Sequence, residues 1–207
     1  MANSIIPTKA NLLATKKSLA LGRIGYELLN RKRNILVREM MQMIDKAEQI
    51  QNVIDSTYTD AYAALQVANI ALGFCKELAE TVPIDDGLSV NYRSVMGVEL
   101  PMVKLRKYEQ YNRIPYGMMK SNASLDKAYR LFQKVKELTA ELAEVENSVY
   151  RLATSIKRTQ KRTNALKNII IPRFVHTVKI ISEALEEKER EEFSRMKVIK
   201  AQKREQG

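Results

Sequence analysis

Two long stretches of the chain carry apolar residues at alternating steps of four and three, which is the repeat of a coiled-coil helix. The first series is Leu36, Met40, Met43, Ala47, Ile50, Ile54, Thr57, Ala61, Ala64, Ala68, Ala71 and Cys75, and it extends backward, more mixed, through Arg33, Leu29, Tyr26, Gly22, Leu19, Thr15 and Leu12. The second series is Ala128, Leu131, Val135, Leu138, Leu142, Val145, Val149, Leu152, Ile156, Thr159, Thr163, Leu166 and Ile170. The shared 3.5-residue period predicts two long helices that pair with a left-handed supercoil.

The prolines bound these helices, because a proline inside a helix costs about 3 kcal/mol. Pro7, Pro83, Pro101, Pro115 and Pro172 leave two long proline-free runs, 8–82 and 116–171. Thr8 is a suitable N-cap for the first helix, and Ser121 and Ser124 offer a weaker start for the second. The first seam is small from Thr57 to Cys75, and the bulk of Leu131, Val135, Leu138 and Leu142 can fill that space if the helices are antiparallel.

Residues 83–118 differ from the flanking runs, since they hold three of the five prolines together with Gly87, Gly97 and Gly117. Residues 88–95 and 98–103 favour β-structure, so we expect two short strands around Met96 and Gly97. Pro101 must then lie on an edge or at a bulge, because it has no N–H for a strand ladder. The predicted fold is all-α dominated: a long antiparallel two-helix coiled-coil hairpin of residues 1–82 and 119–207, with a small β-hairpin module at 83–118.

The charge distribution indicates what class of partner the chain would attract. The 207 residues carry 35 Lys and Arg against 24 Asp and Glu, a formal charge of +11. Residues 1–40 hold eight basic and two acidic side chains, and residues 151–179 hold eight basic and no acidic ones. In an antiparallel hairpin both blocks lie at the open end, where their mutual repulsion favours an acidic partner such as nucleic acid, anionic lipid or an acidic protein surface.

The candidate chemistry is sparse. One cysteine, Cys75, and one histidine, His176, provide neither a disulfide framework nor a zinc site of several Cys and His ligands. Gly22 and Gly25 do not form a phosphate-binding loop, and Asp85-Asp86 before Gly87 is typical of a turn. The uncharged segment 61–75 is too short to span a bilayer, and residues 1–9 lack the apolar region of a signal peptide. We therefore expect no catalytic, cofactor or metal site.

A basic coiled coil that binds nucleic acid or acts as a scaffold is the alternative function. The two basic blocks contain only Tyr26 and Phe174 as aromatic residues, so the stacking platforms of single-strand binders are missing. Contacts to a phosphate backbone would need no such platforms, and they would produce a steep dependence of binding on salt.

Several segments resemble the D subunit of the V-type and archaeal-type rotary ATPases, the central-stalk counterpart of the gamma subunit in F-type ATP synthases. The segments that carry the resemblance are residues 7–13, 26–33, 36–39, 97–101, 163–167, 171–174 and 183–191. Each is weak alone, but their number and order are specific, and together they cover nearly the whole chain.

The resemblance implies a non-catalytic rotor subunit that transmits torque between an ATP-hydrolysing ring and the ion-translocating rotor in the membrane. The implied partners are the catalytic and nucleotide-binding ring subunits (A and B), the small F subunit of the stalk, and a funnel subunit over the membrane rotor ring. No cofactor, nucleic acid or membrane insertion is implied, and the location is cytoplasmic and peripheral to the membrane. We expect the partner contacts to come from residues of the two basic blocks: Arg31, Lys32, Arg33, Lys157, Arg158, Lys161, Arg162 and Arg173. Of these, Lys157, Arg158, Lys161 and Arg162 lie outside the seam.

The seam pattern predicts an elongated molecule in solution. At about 1.5 Å per residue, a helix from Leu12 to Cys75 is roughly 95 Å long. Small-angle scattering should therefore give a radius of gyration well above the roughly 17 Å of a compact chain of this length, and a value near 17 Å would contradict the two-helix arrangement.

Overall fold

The computed structural model describes residues 6–82, 84, 87–105, 116–117 and 121–205. The elements are helices α1 (Lys9–Leu72) and α2 (Lys76–Glu80), strands β1 (Leu88–Val95) and β2 (Val98–Leu105), helix α3 (Ala123–Ala165), a π-helical turn (Leu166–Ile170) and helix α4 (Ile171–Glu205). The predicted fold class, long helices with a small antiparallel β-hairpin between them, is confirmed. Pro83, Asp85, Asp86 and Pro115 lie outside the described residues, and the division at residues 83 and 118 stays a prediction.

Both long helices begin at local caps. The Thr8 hydroxyl accepts a hydrogen bond from the Asn11 N–H at 3.2 Å, which confirms the predicted N-cap of α1. Helix α3 begins between the two serines suggested by the sequence, where the Asn122 carbonyl accepts the N–H groups of Leu125 and Asp126. No helix within the described residues is both long and apolar enough to cross a membrane.

The chain forms two compact units, of which the first contains Met1–Arg33 and Lys157–Gly207 and the second contains Asn34–Ile156. In the second unit, α1 and α3 pack antiparallel along the predicted seam. Leu36 meets Leu152 in one apolar cluster, and Ile50 and Ile54 meet Val145 in the next. Further along, Ala68 packs with Leu125 and Tyr116. The small residues Ala61, Ala64 and Ala68 are all buried, as the seam pattern requires.

Ala71 is an exception, because the sequence placed it in the seam and the structure exposes it. Helix α1 ends one residue later, at Leu72, and Gly73 then adopts a left-handed φ of 75°. Helix α3 begins only at Ala123, and Ala68 already packs against Leu125 near that start, so no described turn of α3 lies opposite Ala71. The seam therefore ends at Ala68 in α1.

The turn of the β-hairpin is formed by the two residues that the sequence suggested. Met96 and Gly97 have positive φ angles of 51° and 75°, the combination that a tight type I′ turn requires. The register is unbroken from Val95 opposite Val98 to Leu88 opposite Leu105. Pro101 lies opposite Tyr92 in a two-stranded sheet, so it occupies an edge strand, as predicted.

Strand β2 holds the hairpin on the helices of the second unit. Leu100 is only 1% exposed and packs between Leu36 and Leu152. The Val103 N–H donates to Glu144 Oε2 at 2.6 Å, and Arg151 Nη1 donates to the Glu99 carbonyl at 3.1 Å. These contacts satisfy the outer edge of β2 with side chains of α3.

A tyrosine links the start of α3 to the segment before it. The buried Tyr116 hydroxyl donates to Asp126 Oδ1 at 2.7 Å, and its ring meets the ring of Tyr129 edge to face at 5.8 Å. Burial and the nearby carboxylate both disfavour the phenolate, so the pKa of Tyr116 is raised well above its usual value. The neutral hydroxyl is therefore a fixed donor here.

The first unit pairs α1 with α3, the π turn and α4, again antiparallel. Lys9 Nζ lies 3.0 Å from Glu189 Oε1 at one end of the pairing, and Arg33 Nη1 donates to Gln160 Oε1 at 2.8 Å at the other. Between them Gly22 and Gly25 face the returning helix, where an added Cβ would meet only ordinary contacts, 3.7 Å from Ile171 Cγ1 at Gly22 and 4.0 Å from Leu166 Cδ1 at Gly25.

The π turn changes the predicted seam at Ile170. The Ile171 N–H donates to the Leu166 carbonyl, five residues back instead of four, so the turn contains one extra residue. Ile170, predicted to lie in the seam, is consequently 38% exposed, and Ile171 takes the inner position. From there the seam resumes at steps of three and four, with the inner residues Phe174, Val178, Ile181 and Leu185.

Pro172 closes the proline-free run 116–171 but does not end the helical segment, since α4 continues to Glu205, as the predicted helix of residues 119–207 requires. A proline removes the hydrogen bond to the carbonyl four residues back and its ring collides with that carbonyl. Here it follows directly after the wide turn, which occupies the positions where a regular helix would meet this conflict. A π-bulge interrupts the regular ladder of hydrogen bonds to the carbonyl four residues back, which is the ladder that a proline cannot join.

Enlarging the buried alanines tests the close approach of the helices in the second unit. Ala64→Leu together with Ala68→Leu should lower the free energy of unfolding by on the order of 1 to 3 kcal/mol per site, because both alanines are buried and the added methylenes would push the paired helices apart. The matched control is Ala63→Leu with Ala71→Leu, at two exposed positions of the same helix. Thermal melts in which the seam variant equals or exceeds the wild type would show that these alanines are not packed.

Candidate partner-binding surface

The positive charge of the protein belongs to the first unit. Its 84 residues carry 21 Lys and Arg and 8 Asp and Glu, a net charge of +13. The second unit carries 14 basic and 16 acidic residues, a net charge of −2. The two basic blocks identified in the sequence therefore fall mainly in one unit, where they cannot neutralise each other.

The basic cluster of α3 consists of Lys157, Arg158, Lys161 and Arg162, and all four side chains are exposed. The buried residues beside them are Thr159 and Thr163, at 5% and 3% exposure, and the Thr163 hydroxyl donates back to the Thr159 carbonyl at 2.9 Å. The seam thus uses the threonines and leaves the four cations on the flanks of the helix, as the register predicted. None of the four forms an ion pair within the described part of the chain.

The three basic residues of α1 that were predicted to contact a partner differ in how far their side chains are buried. Arg31 is exposed, whereas Lys32 and Arg33 are half-buried. Arg33 spans the seam to Gln160, and Gln160 in turn donates to Asn164 Oδ1 at 3.0 Å. Arg33 therefore helps to hold α1 against α3, and among these three residues Arg31 is the most exposed.

Arg173 lies in the first turn of α4, directly after Pro172, and is exposed. Its carbonyl accepts a hydrogen bond from the Thr177 hydroxyl at 2.9 Å, while the guanidinium is left at the surface. His176, the single histidine, is exposed on the same helix. The described residues contain no group of three or more His, Cys, Asp or Glu side chains that could hold a metal ion.

The first unit also exposes apolar side chains, which the sequence analysis did not predict. Leu21, Ile24 and Leu28 of α1 are 69%, 54% and 60% exposed, and Ile169 of the π turn is 66% exposed. The three residues of α1 follow a spacing of three and four just off the seam, and this second apolar row is the signal that could have revealed them. The surface of the first unit is therefore mixed apolar and basic, and not only basic.

Two open grooves are lined by described residues of the second unit. One of about 420 Å³ is lined by Asp60, Ala63, Ala64, Val67, Ser124, Lys127 and Leu131. Small apolar side chains form most of its walls, and no cluster of convergent polar groups marks it as a catalytic pocket.

Comparison with known proteins points to one family. Residues 11–201 match the family model for the D subunit of ATP synthase. The chain belongs to this family of ATP synthase D subunits. It is 44% identical over 199 residues to the D subunit of the V-type ATP synthase of Thermotoga neapolitana, covering 95% of this chain and 97% of that protein. It is also 36% identical to the D subunit of the A-type ATP synthase of Thermococcus kodakarensis over 201 residues, which is 96% of this chain and 94% of that one.

The D subunit of the A-type ATP synthase of Methanosphaera stadtmanae is 34% identical over 96% of this chain and 94% of that protein. These matches confirm the family that the sequence indicated and favour a D-subunit function over the nucleic-acid-binding alternative. Since the similarity covers both compact units, the surfaces of both belong to the region shared with the D subunits.

Proposed function

We propose that this protein is the central-stalk rotor subunit of a V-type or A-type ATP synthase and transmits torque between the ATP-hydrolysing ring and the membrane rotor. The proposal makes it a non-catalytic subunit, located on the cytoplasmic side and peripheral to the membrane. The observation that carries it, beside the family membership, is the concentration of a net charge of +13 on the first unit.

The basic unit is proposed to contact the ring of catalytic and nucleotide-binding subunits. Exposed guanidinium and ammonium groups attract acidic loops over several ångströms, so contacts can form and break as the loops of the ring change. The residues proposed for these contacts are Arg31, Lys32, Arg33, Lys157, Arg158, Lys161, Arg162 and Arg173. Exposed Leu21, Ile24 and Leu28 would add apolar contacts beside Arg31.

Torque transmission requires that the two helices of the first unit turn together. A seam of interdigitating side chains resists sliding and twisting, because the interior is packed as densely as a solid. The buried seam residues Thr159 and Thr163 and the hydrogen bond between Arg33 and Gln160 tie α1 to α3. The second unit, whose net charge is close to zero, is then proposed to contact the small stalk subunit and the funnel subunit.

Reversing the charge of the basic cluster tests this function. Replacing Lys157, Arg158, Lys161 and Arg162 together by Glu should leave helicity and the melting temperature close to wild type, because all four are exposed. The same change should reduce coupling between ATP hydrolysis and ion transport, or prevent assembly with the ring. Four changes are needed, because one exposed ion pair contributes only a few tenths of a kcal/mol.

The control keeps the charge and changes the shape: Arg158→Lys with Arg162→Lys should assemble and couple like the wild type. The composition of the complex by native mass spectrometry and ATP-driven ion uptake in vesicles would be measured for both variants. Wild-type assembly and coupling in the quadruple Glu variant would mean that the cluster is only a solvated helix face.

A further inference from the structure

The two strands of the β-hairpin differ in whether their outward-pointing backbone groups have partners. The register shows which groups point outward. Because the two-residue turn joins Val95 to Val98, residues alternate between pairs that exchange ladder bonds and pairs whose N–H and C=O groups point outward. The contacts of β2 identify the outward set, since the Val103 N–H and the Glu99 carbonyl bind Glu144 and Arg151. Pro101 also belongs to the outward set, so its missing N–H removes no hydrogen bond between the two strands.

Opposite these positions in β1 stand Val90, Tyr92 and Ser94. Their backbone N–H and C=O groups therefore point away from β2, toward the free edge of the sheet. Within the part of the chain that the structure describes, these backbone groups have no hydrogen-bond partner. The side chains of Val90 and Tyr92, on one face, are 44% and 59% exposed.

Natural proteins protect a strand edge with lysine, proline, a bulge or a covering element. Strand β2 has such protection: Pro101, Lys104 and the side chains of α3 lie along it. Strand β1 has eight residues, no lysine or proline among them, and an unbroken register, and its one charged side chain, Arg93, is paired with Glu39 of α1. An open edge of this length with an exposed apolar row is a template for one more strand.

We propose that the free edge of β1 receives an extended strand from another subunit of the ATP synthase complex. The incoming strand would exchange backbone hydrogen bonds with Val90, Tyr92 and Ser94. Its alternate apolar side chains would continue the row formed by Leu88, Val90 and Tyr92. A second copy of this chain is the other occupant that an open strand edge can take, and the experiment below separates it from a different subunit by its dependence on protein concentration. The inference rests on the proposed function, which supplies the complex.

Amide hydrogen exchange at single-residue resolution tests it on the full-length chain, alone and in the purified complex. In the isolated chain the outward amides of Val90, Tyr92 and Ser94 should exchange fast, while the inward amides of Ser89, Asn91 and Arg93 are protected. Assembly should slow the outward amides on the order of 100-fold, because they become hydrogen-bonded in a continuous sheet. The inward amides serve as the internal control.

Val90→Pro provides the matching variant, because it removes an outward N–H and leaves the ladder intact, as Pro101 does in β2. It should weaken retention of the partner subunit, whereas Val90→Ala, which keeps the N–H, should retain it. If Val90→Pro unfolds the hairpin, the inward amides of the variant will lose their protection. The exchange data on the wild-type chain and complex then decide whether a strand is added.

Assembled complexes whose outward amides exchange as fast as in the isolated chain would overturn the strand-addition inference and leave the proposed function standing. Concentration-dependent protection of these amides in the isolated chain would overturn it in favour of a second copy. Failure of the wild-type chain to co-purify with any other ATP synthase subunit would instead contradict the proposed function itself.

Discussion

Burial of a narrow apolar seam is the constraint on which the rest of this structure depends. Neither long helix can cover its own stripe, so in each unit α1 must pack against the helix that returns beside it. The few polar residues on the seam are accommodated locally: the Thr57 hydroxyl donates to the Val53 carbonyl at 2.7 Å, and Thr163 donates to Thr159. Among the described residues, no buried side-chain nitrogen or oxygen lacks a hydrogen-bond partner.

The seam also determines where charge can lie. A two-helix pairing buries only one stripe of each helix, so every other position is available for polar and charged groups. The protein uses this freedom unevenly, with a net charge of +13 on the first unit and −2 on the second. Two different surfaces thus arise on one repeating framework, which suits a subunit that is proposed to contact several unlike partners.

The sequence predicts the features that depend on local periodicity and turn chemistry. The seam residues from Leu36 to Ala68 and the exposure of Lys157 and Arg158 follow directly from the repeat, and the hairpin follows from Met96 and Gly97. The π turn was not predictable in this way, because one shifted backbone hydrogen bond at Leu166 leaves no mark in composition. Pro172 does not indicate it either, since the usual effect of a proline is to end a helix.

Long-range contacts form the other group that the sequence does not reveal. Glu144 and Arg151 hold β2 from positions more than 40 residues away in the chain, and no spacing rule connects them to Val103 or Glu99. The exposed row of Leu21, Ile24 and Leu28 was overlooked for a different reason, because the stronger seam pattern in the same helix masks it. The eight proposed contact residues are thus a partial description of the surface.

Disulfide trapping across the first unit tests the seam register most directly. In a Cys75→Ser background, Gly22→Cys would be combined with either Ile171→Cys or Ile170→Cys. Because the π turn rotates Ile171 toward Gly22 and Ile170 toward solvent, mild oxidation should cross-link the first pair and not the second. Efficient cross-linking through position 170 and none through position 171 would show an uninterrupted seam and contradict this account of how the two helices pair.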